Sequence, residues 1–258
     1  MESLAHWFIR RLEKATTLSE SIALILEVGE AVGLPKVGVI RDIEVEERPV
    51  MNGKPLAALM GWPEDWLAEF TRRNFKHYEP NSNYCRYEHR PFTWRTNENG
   101  TMWKDKLLSG MPLQAMRCLR EQVGAGVTTP VFRSGGRIGH VSWMSASPGT
   151  EVDKIFERYG TELFLIAHHF IEVLDRWPTE DDDWEEGEPL TARETECLRW
   201  VALGKTDQEV SEIIYRSPAT TRFHVKNAIR KLGAANRAHA VSIAHRRGLL
   251  GPQPHMHG

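Results

Sequence analysis

Residues 190–250 read LTARETECLRWVALGKTDQEVSEIIYRSPATTRFHVKNAIRKLGAANRAHAVSIAHRRGLL. Helix starts are written into this stretch in capping chemistry, because the first N–H groups of a helix need an acceptor. Thr191-Ala-Arg-Glu194 and Thr206-Asp-Gln-Glu209 each fit the capping box, in which the hydroxyl takes the third N–H and the glutamate reaches back. Gly204 stops the first helix, and Ser217 with Pro218 opens a third, since proline lacks an N–H where none is needed. Along it Thr221, Val225, Ile229 and Leu232 recur at helical spacing and are expected to share a core with Leu198, Val201, Val210, Ile213 and Ile214. Gly233 ends this helix; Asn236 caps a fourth, running to about Arg247 and closed by Gly248.

The opposite face of the third helix carries Arg222, Lys226 and Arg230. Two helices joined by a short turn, the second with a basic stripe, match the helix-turn-helix geometry that puts its second helix in the DNA major groove. Charge agrees. Residues 189–258 hold 11 Lys and Arg against five acids, a net of +6, which leaves −8 on the rest of the chain. A basic segment on an acidic body points to a polyanion for that segment only. The boundary is Trp177 to Glu188, WPTEDDDWEEGE, with seven acids and no base, read as a solvated and extended linker. The expected domains are therefore 1–176, a linker at 177–188, and 189–258.

The 258 residues, 41% hydrophobic and 26% charged, can bury a core, which excludes a disordered or fibrous chain. The greasiest run, Leu163 to Leu174, is broken by His168, His169 and Glu172, so no membrane helix is expected. Met1 to Ala15 mixes charges into its apolar pattern and shows no signal-peptide core, which points to a cytoplasmic protein. Cys85, Cys118 and Cys197 are too few and too scattered for a disulfide framework.

Motif by motif, residues 190–250 resemble the DNA-binding domain of the LuxR family, through Glu194, Leu198, Gly204, Lys205, Thr206, Phe223, His224, Asn227, Lys231, Leu232, Asn236, Arg237 and Gly248-Leu249. The resemblance implies that Arg222 and Lys226 reach bases, while Lys205, Thr206, Ser217, Thr220 and Arg237 lie near the phosphate backbone. Such a division is physically sensible: arginine suits guanine edges, and hydroxyls with helix N-termini suit phosphates. Thr221 departs from the family, which commonly has an aliphatic residue there.

In the first 176 residues, Ala5 to Val32 reads as a helix pair, Lys36 to Ile43 as a strand, and Glu64 to Phe75 and Ser109 to Gln122 as helices. Val127 to Phe132 and Ile138 to Ala146 alternate around Ser134-Gly-Gly-Arg137 as a hairpin, and Asp153 to Leu174 is a long helix. Helices on a mostly antiparallel sheet give an α+β class, an α/β/α sandwich followed by an all-α four-helix domain. No catalytic, metal or cofactor site is expected. Gly135 and Gly136 belong to a hairpin turn, Cys85-x3-His89 is too sparse for zinc, and His168-His169 is read as a structural pair.

Aromatics are the informative feature of this segment. Trp62, Trp66, Phe70, Phe75, Tyr78, Tyr84, Tyr87, Phe92, Trp94 and Trp103 crowd into about forty residues around Glu79, as in an apolar pocket with a few placed polar groups. Pro63-x-x-Trp66, Phe70, Glu79-Pro80, Pro91-Phe92-x-Trp94 and Gly126-x-x-x-Pro130 are similar to the autoinducer-binding domain of LuxR quorum-sensing regulators, which take N-acyl-homoserine lactones. The resemblance implies that the Trp66 indole donates to the lactone carbonyl and that Trp94 and Gly126 shape the pocket wall. Ser142 joins the implied ligand set. Glu79 stands for the family's aspartate that accepts the ligand amide N–H, Phe70 for a tyrosine beside the acyl chain, and Trp62 for a tyrosine whose hydroxyl meets a ligand carbonyl. The implied protein is a homodimer that binds an acyl- or aryl-homoserine lactone, or a related signal, and a two-fold symmetric double-stranded DNA site. Two alternatives are weaker. A phospho-receiver would have only Asp42 as an early acceptor, and a lactone hydrolase would need a metal cluster or nucleophile elbow that the sequence does not offer.

Overall fold

The computed structural model of the chain describes residues 2–43, 50–51, 54–72, 79–96, 119–133, 136–177 and 188–250. Phe75, Tyr78, Trp103, the side chain of Phe70, residues 109–118 of the helix expected over 109–122, the hairpin tip at Ser134-Gly135 and residues 178–187 of the acidic run lie outside the described residues. The chain divides into two compact units, Met1–Phe132 with Ile138–Asp182, and Arg133–Arg137 with Asp183–Gly258.

The first unit runs α1 (Leu4–Leu12), α2 (Leu18–Val32), β1 (Lys36–Ile40), β2 (Val50–Met51), β3 (Lys54–Pro55), α3 (Leu56–Leu59), α4 (Glu64–Arg72), α5 (Pro80–Cys85), β4 (Phe92–Arg95), β5 (Ala125–Phe132), β6 (Ile138–Ser145) and α6 (Val152–Leu174). The expected helix pair, hairpin and long helix are all present. Thr17 and Glu20 close a capping box on α2. The sheet has order β1-β6-β5-β4, antiparallel throughout. β1 stops at Ile40, three residues short of the expected end; beyond it one backbone bond, Ile43 N–H to the Ile138 carbonyl, continues the pairing at 2.8 Å. The short α3 and α5 and the edge strand β4 were not anticipated.

Period-2 alternation gives the sheet two faces. Val37, Val39, Ala125, Val127, Val131, Val141 and Trp143 enter the main core with Phe8 of α1, Ile25 and Val28 of α2, and Leu163, Ile166 and Phe170 of α6. Phe92, Trp94 and Met144 belong to a second cluster with Cys85 and Val123, against which Trp62 and Tyr84 pack. The edge strand is tied to the long helix by Asp153, which accepts from Thr93 Oγ1 at 2.9 Å and from Arg95 at 2.5 Å.

The second unit holds α7 (Ala192–Ala202), α8 (Asp207–Ile213), α9 (Pro218–Lys231) and α10 (Arg237–Arg246). Every expected cap is made: boxes at Thr191 with Glu194 and Thr206 with Glu209, Ser217 to the Thr220 N–H, and Asn236 to the His239 N–H. Removing one such cap costs about 1 kcal/mol. Gly204 takes φ +80°, the left-handed region where glycine alone pays no Cβ penalty. Leu198, Val201, Val210, Ile214, Val225 and Leu232 are buried together, with Ile213 and Ile229 packed against them. The Lys231 ammonium lies 2.9 Å from Glu194, and both side chains are buried, which locks α9 to α7.

Thr221 is fully buried and its hydroxyl finds no partner among the described residues. A buried unpaired hydroxyl is costly, and valine has nearly its shape. Thr221→Val is therefore expected to stabilise this unit by about 1 kcal/mol. Chemical denaturation followed by far-UV circular dichroism measures it, and an unchanged or lower midpoint would count against the reading.

Candidate functional site

The face of the sheet opposite the main core carries a row of polar side chains. On β6, His140 and Ser142 alternate with the core-facing Val141 and Trp143; on β5, Thr128 pairs with Ser142. All three are buried, His140 at 3% exposure. They form a continuous hydrogen-bonded chain. The Trp94 indole N–H donates to Thr128 Oγ1 at 2.9 Å, Thr128 Oγ1 lies 2.8 Å from Ser142 Oγ, and Ser142 Oγ lies 3.3 Å from His140 Nδ1. His140 Nε2 then lies 3.0 Å from Ser82 Oγ and 3.6 Å from Glu79 Oε2.

Glu79 ends this chain and caps α5. The Asn81 and Ser82 N–H groups donate to its two carboxylate oxygens at 3.2 and 2.6 Å. Pro80 at the first helical position favours that start. Burial would raise the Glu79 pKa, but hydrogen bonding with His140 and Ser82 outweighs it and holds the carboxyl below its ordinary range.

The aromatic wall is partly as expected. Trp62 and Trp66 stack at 5.1 Å, and Tyr84 meets Phe92 edge-on at 4.7 Å. Trp94 is buried, and opposite it in register is Gly126. A Cβ on Gly126 would sit 2.7 Å from the Trp94 ring and 2.7 Å from the Trp143 carbonyl oxygen, so only glycine lets the indole lie across β5. Two expectations need correction. Tyr87 is 73% exposed and walls nothing, and the Trp62 N–H donates to the Val37 carbonyl at 2.7 Å, so its donor is already engaged. Of the implied ligand set, Trp62, Trp66, Glu79, Trp94, Gly126 and Ser142 come together in this region, while the Phe70 side chain is outside the described residues.

In the second unit, Arg222 and Lys226 stand exposed on α9, as the basic stripe required. Lys205, Thr206 and Arg237 gather at the start of α8: Lys205 Nζ donates to Glu209 at 3.2 Å, and Arg237 donates to the Lys205 carbonyl at 2.8 Å. Glu209 is pulled down to a pKa of about 2, first by the Thr206 backbone N–H, then by the Thr206 hydroxyl and Lys205. Ser217 and Thr220 meet at the start of α9, their hydroxyls 2.8 Å apart. Sequence reasoning missed Asp207, which lies 3.6 Å from Arg222 and 3.7 Å from Arg237 and so tethers a stripe arginine. It also missed His140, Ser82 and Thr128. For His140 and Thr128 a signal existed: both share the period-2 register of Ser142 and Gly126.

A helix-turn-helix unit with an exposed basic stripe, together with a sheet unit that turns a polar, aromatic-flanked face away from its core, defines a transcription regulator that answers a small molecule. The chain belongs to the family defined by the autoinducer binding domain, which residues 19–174 match, and residues 188–244 match the luxR family of bacterial regulatory proteins. It is similar to the transcriptional activator VanR of Vibrio anguillarum, 27% identical over 211 residues, covering 80% of this chain and 82% of VanR. Similarity to the activator BjaR1 of Bradyrhizobium diazoefficiens is 28% over 194 residues, 74% of each chain. The solved structure of SdiA in complex with octanoyl-rac-glycerol shares the fold, with TM-score 0.70 and 22% identity over 97% of this chain and 98% of that one. The protein is thus a DNA-binding, ligand-responsive transcription regulator of the quorum-sensing type. No helix among the described residues is long and apolar enough to cross a membrane.

Proposed function

We propose that residues 1–176 bind an N-acyl- or aryl-homoserine lactone and dimerise, that 177–188 form an acidic linker, and that 189–258 read one half of a two-fold DNA site in the cytoplasm. Trp66 donates to the lactone carbonyl and Glu79 accepts the amide N–H; Phe70 flanks the acyl chain, and Trp62, Trp94, Gly126 and Ser142 shape the site. The observation that carries this reading is the Glu79 carboxylate, capped by two N–H groups and held ionised beside the aromatic cluster. Ligand stabilises the folded unit by mass action. A second reading, a signal that is not a lactone, is favoured by the Trp62 N–H, which Val37 takes out of the ligand's reach.

A matching ligand is expected to raise the thermal midpoint in a concentration-dependent way, by about 2.7 kcal/mol of added stability at a hundred times its Kd. The panel is acyl- and aryl-homoserine lactones, octanoyl-glycerol and extracts of the native host. A shift with extract alone favours the second reading; no shift with any of them sinks the ligand site.

For DNA, Arg222 and Lys226 are assigned to bases and Lys205, Thr206, Ser217, Thr220 and Arg237 to the phosphate backbone. Arg222→Ala should cost about 1–3 kcal/mol and relax one base position, whereas Lys205→Ala should weaken all sequences alike. Selection from a random DNA pool followed by titration compares the two. Equal, sequence-independent losses would move Arg222 to the backbone.

A further inference from the structure

Three arginines of the helix-turn-helix unit lie against its own carboxylates, and they differ in which nitrogen is engaged. Arg230 commits a terminal nitrogen, donating from Nη2 to Glu188 at 3.1 Å. Arg237 commits both: Nη2 donates to the Lys205 carbonyl at 2.8 Å, and Nη1 lies 3.7 Å from Asp207 Oδ1. Arg222 differs, since it is the inner nitrogen, Nε, that lies 3.6 Å from Asp207 Oδ2. Its two terminal nitrogens have no partner among the described residues. That end of the guanidinium is the one that can meet guanine O6 and N7 together. Asp207 is placed to hold the other end still. It is the first residue of α8, its side chain is 24% exposed, and its Oδ1 is closed to solvent with no hydrogen-bond partner among the described residues.

A partly buried carboxylate is unfavourable on a surface that binds a polyanion. It gives up hydration, and it repels the phosphates that Lys205 and Thr206, the two residues before it, are assigned to meet. Its gain has to lie elsewhere. We propose that Asp207 is a positioning residue for base reading: it aims Arg222 at a guanine edge and weakens the grip on DNA of any sequence. The proposal rests on the assignment of Arg222 to a base. Arg222 is 74% exposed and by itself would turn through many rotamers; a charge beside Nε narrows them before DNA arrives, so less freedom is lost when the two bonds to guanine form. At a site without that guanine only the repulsion is felt. Specificity is a difference between two affinities, so a group that weakens the wrong site more than the right one sharpens the choice.

The probes are the DNA site recovered from the random pool and a scrambled duplex of the same length, titrated by fluorescence anisotropy against the full chain. Asp207→Asn removes the charge at nearly constant size. It should bind scrambled DNA on the order of two- to fivefold tighter and lose the same factor in preference for the recovered site, the range of an exposed ion pair. On scrambled DNA the salt dependence should steepen by up to about one phosphate equivalent. The lost discrimination should fall at the base position that Arg222→Ala relaxes. In the Arg222→Ala background Asp207→Asn should leave the preference unchanged, because the group it aims is gone. Asp207→Ser should repeat both results, so that they do not hang on one side chain's effect on folding, and circular dichroism melts of each variant accompany the titrations. Equal tightening on both duplexes overturns the proposal, leaving Asp207 a bare charge. So does a fall in both affinities, which would make it only a support of α8, or a loss of preference that persists without Arg222. If Arg222→Ala relaxes no base position, the assignment of Arg222 has failed and this inference falls with it; a relaxed position that both Asp207 variants leave sharp defeats the inference alone.

Discussion

Gly126→Val is expected to destabilise the ligand unit by about 3 kcal/mol, at or above the upper end of ordinary overpacking. The argument is local. Gly126 faces Trp94 across the β4–β5 ladder, and an added Cβ would approach both the indole ring and the Trp143 carbonyl to 2.7 Å. Neither neighbour can withdraw. Trp94 is 1% exposed with its N–H held by Thr128, and Trp143 belongs to the central strand β6, paired on both sides. At roughly 2–4 °C per kcal/mol for a unit of this size, the midpoint should fall by about 6–12 °C. Tryptophan fluorescence on heating reads it directly. Gly126→Ala should show a smaller loss of the same sign, and Trp94→Leu combined with Gly126→Ala should recover part of it. A valine variant that melts within a degree of the wild type would show that the indole does not need the glycine.

What could be read from the sequence follows from how local each signal is. The four helices of the DNA-reading unit were legible because their caps are written within three or four residues, as at Thr191, Thr206, Ser217 and Asn236, and each is made as written. The long helix over Val152–Leu174 and the β5–β6 hairpin were legible for the same reason, since period and turn are both short-range. Helices of four and six residues, α3 and α5, are too short to show a period. β4 is four residues whose pairing with β5 crosses some thirty positions, so Phe92 and Trp94 read as residues of an aromatic pocket wall and not as a strand. The face opposite the core was hardest. Ser142 entered the expected ligand set only through resemblance and His140 not at all, because the alternation along β6 does not say which polar side chains are buried, and the fold shows that both are. The same blindness counted Tyr87 into the pocket wall on composition alone.

Glu79→Gln is expected to weaken ligand response roughly ten- to a hundred-fold, or about 1.5–3 kcal/mol. The reason is that Glu79 is surrounded by donors. The Asn81 and Ser82 N–H groups converge on its two oxygens, and His140 Nε2 approaches one of them at 3.6 Å. A ligand amide N–H would be a further donor. Glutamine offers one acceptor oxygen and an NH₂ that can only donate, so some N–H in this cluster loses its acceptor whichever way the amide turns. Glu79→Asp separates capping from ligand binding. Aspartate is among the best N-caps and keeps the charge, so the ligand-free midpoint should stay close to wild type. Its carboxylate is one methylene shorter, so the order of preference among lactones should shift. Trp66→Phe removes the indole donor, keeps most of the ring, and should weaken only ligands with a carbonyl at that spot. The measurement is a promoter-reporter dose-response of the four proteins against one lactone panel, with ligand-free midpoints of the purified chains beside it. A glutamine variant that responds like wild type would leave Glu79 as the cap of α5 and nothing more. A glutamine variant whose ligand-free midpoint collapses gives way to Glu79→Asp, whose altered preference at an unchanged midpoint cannot come from lost stability.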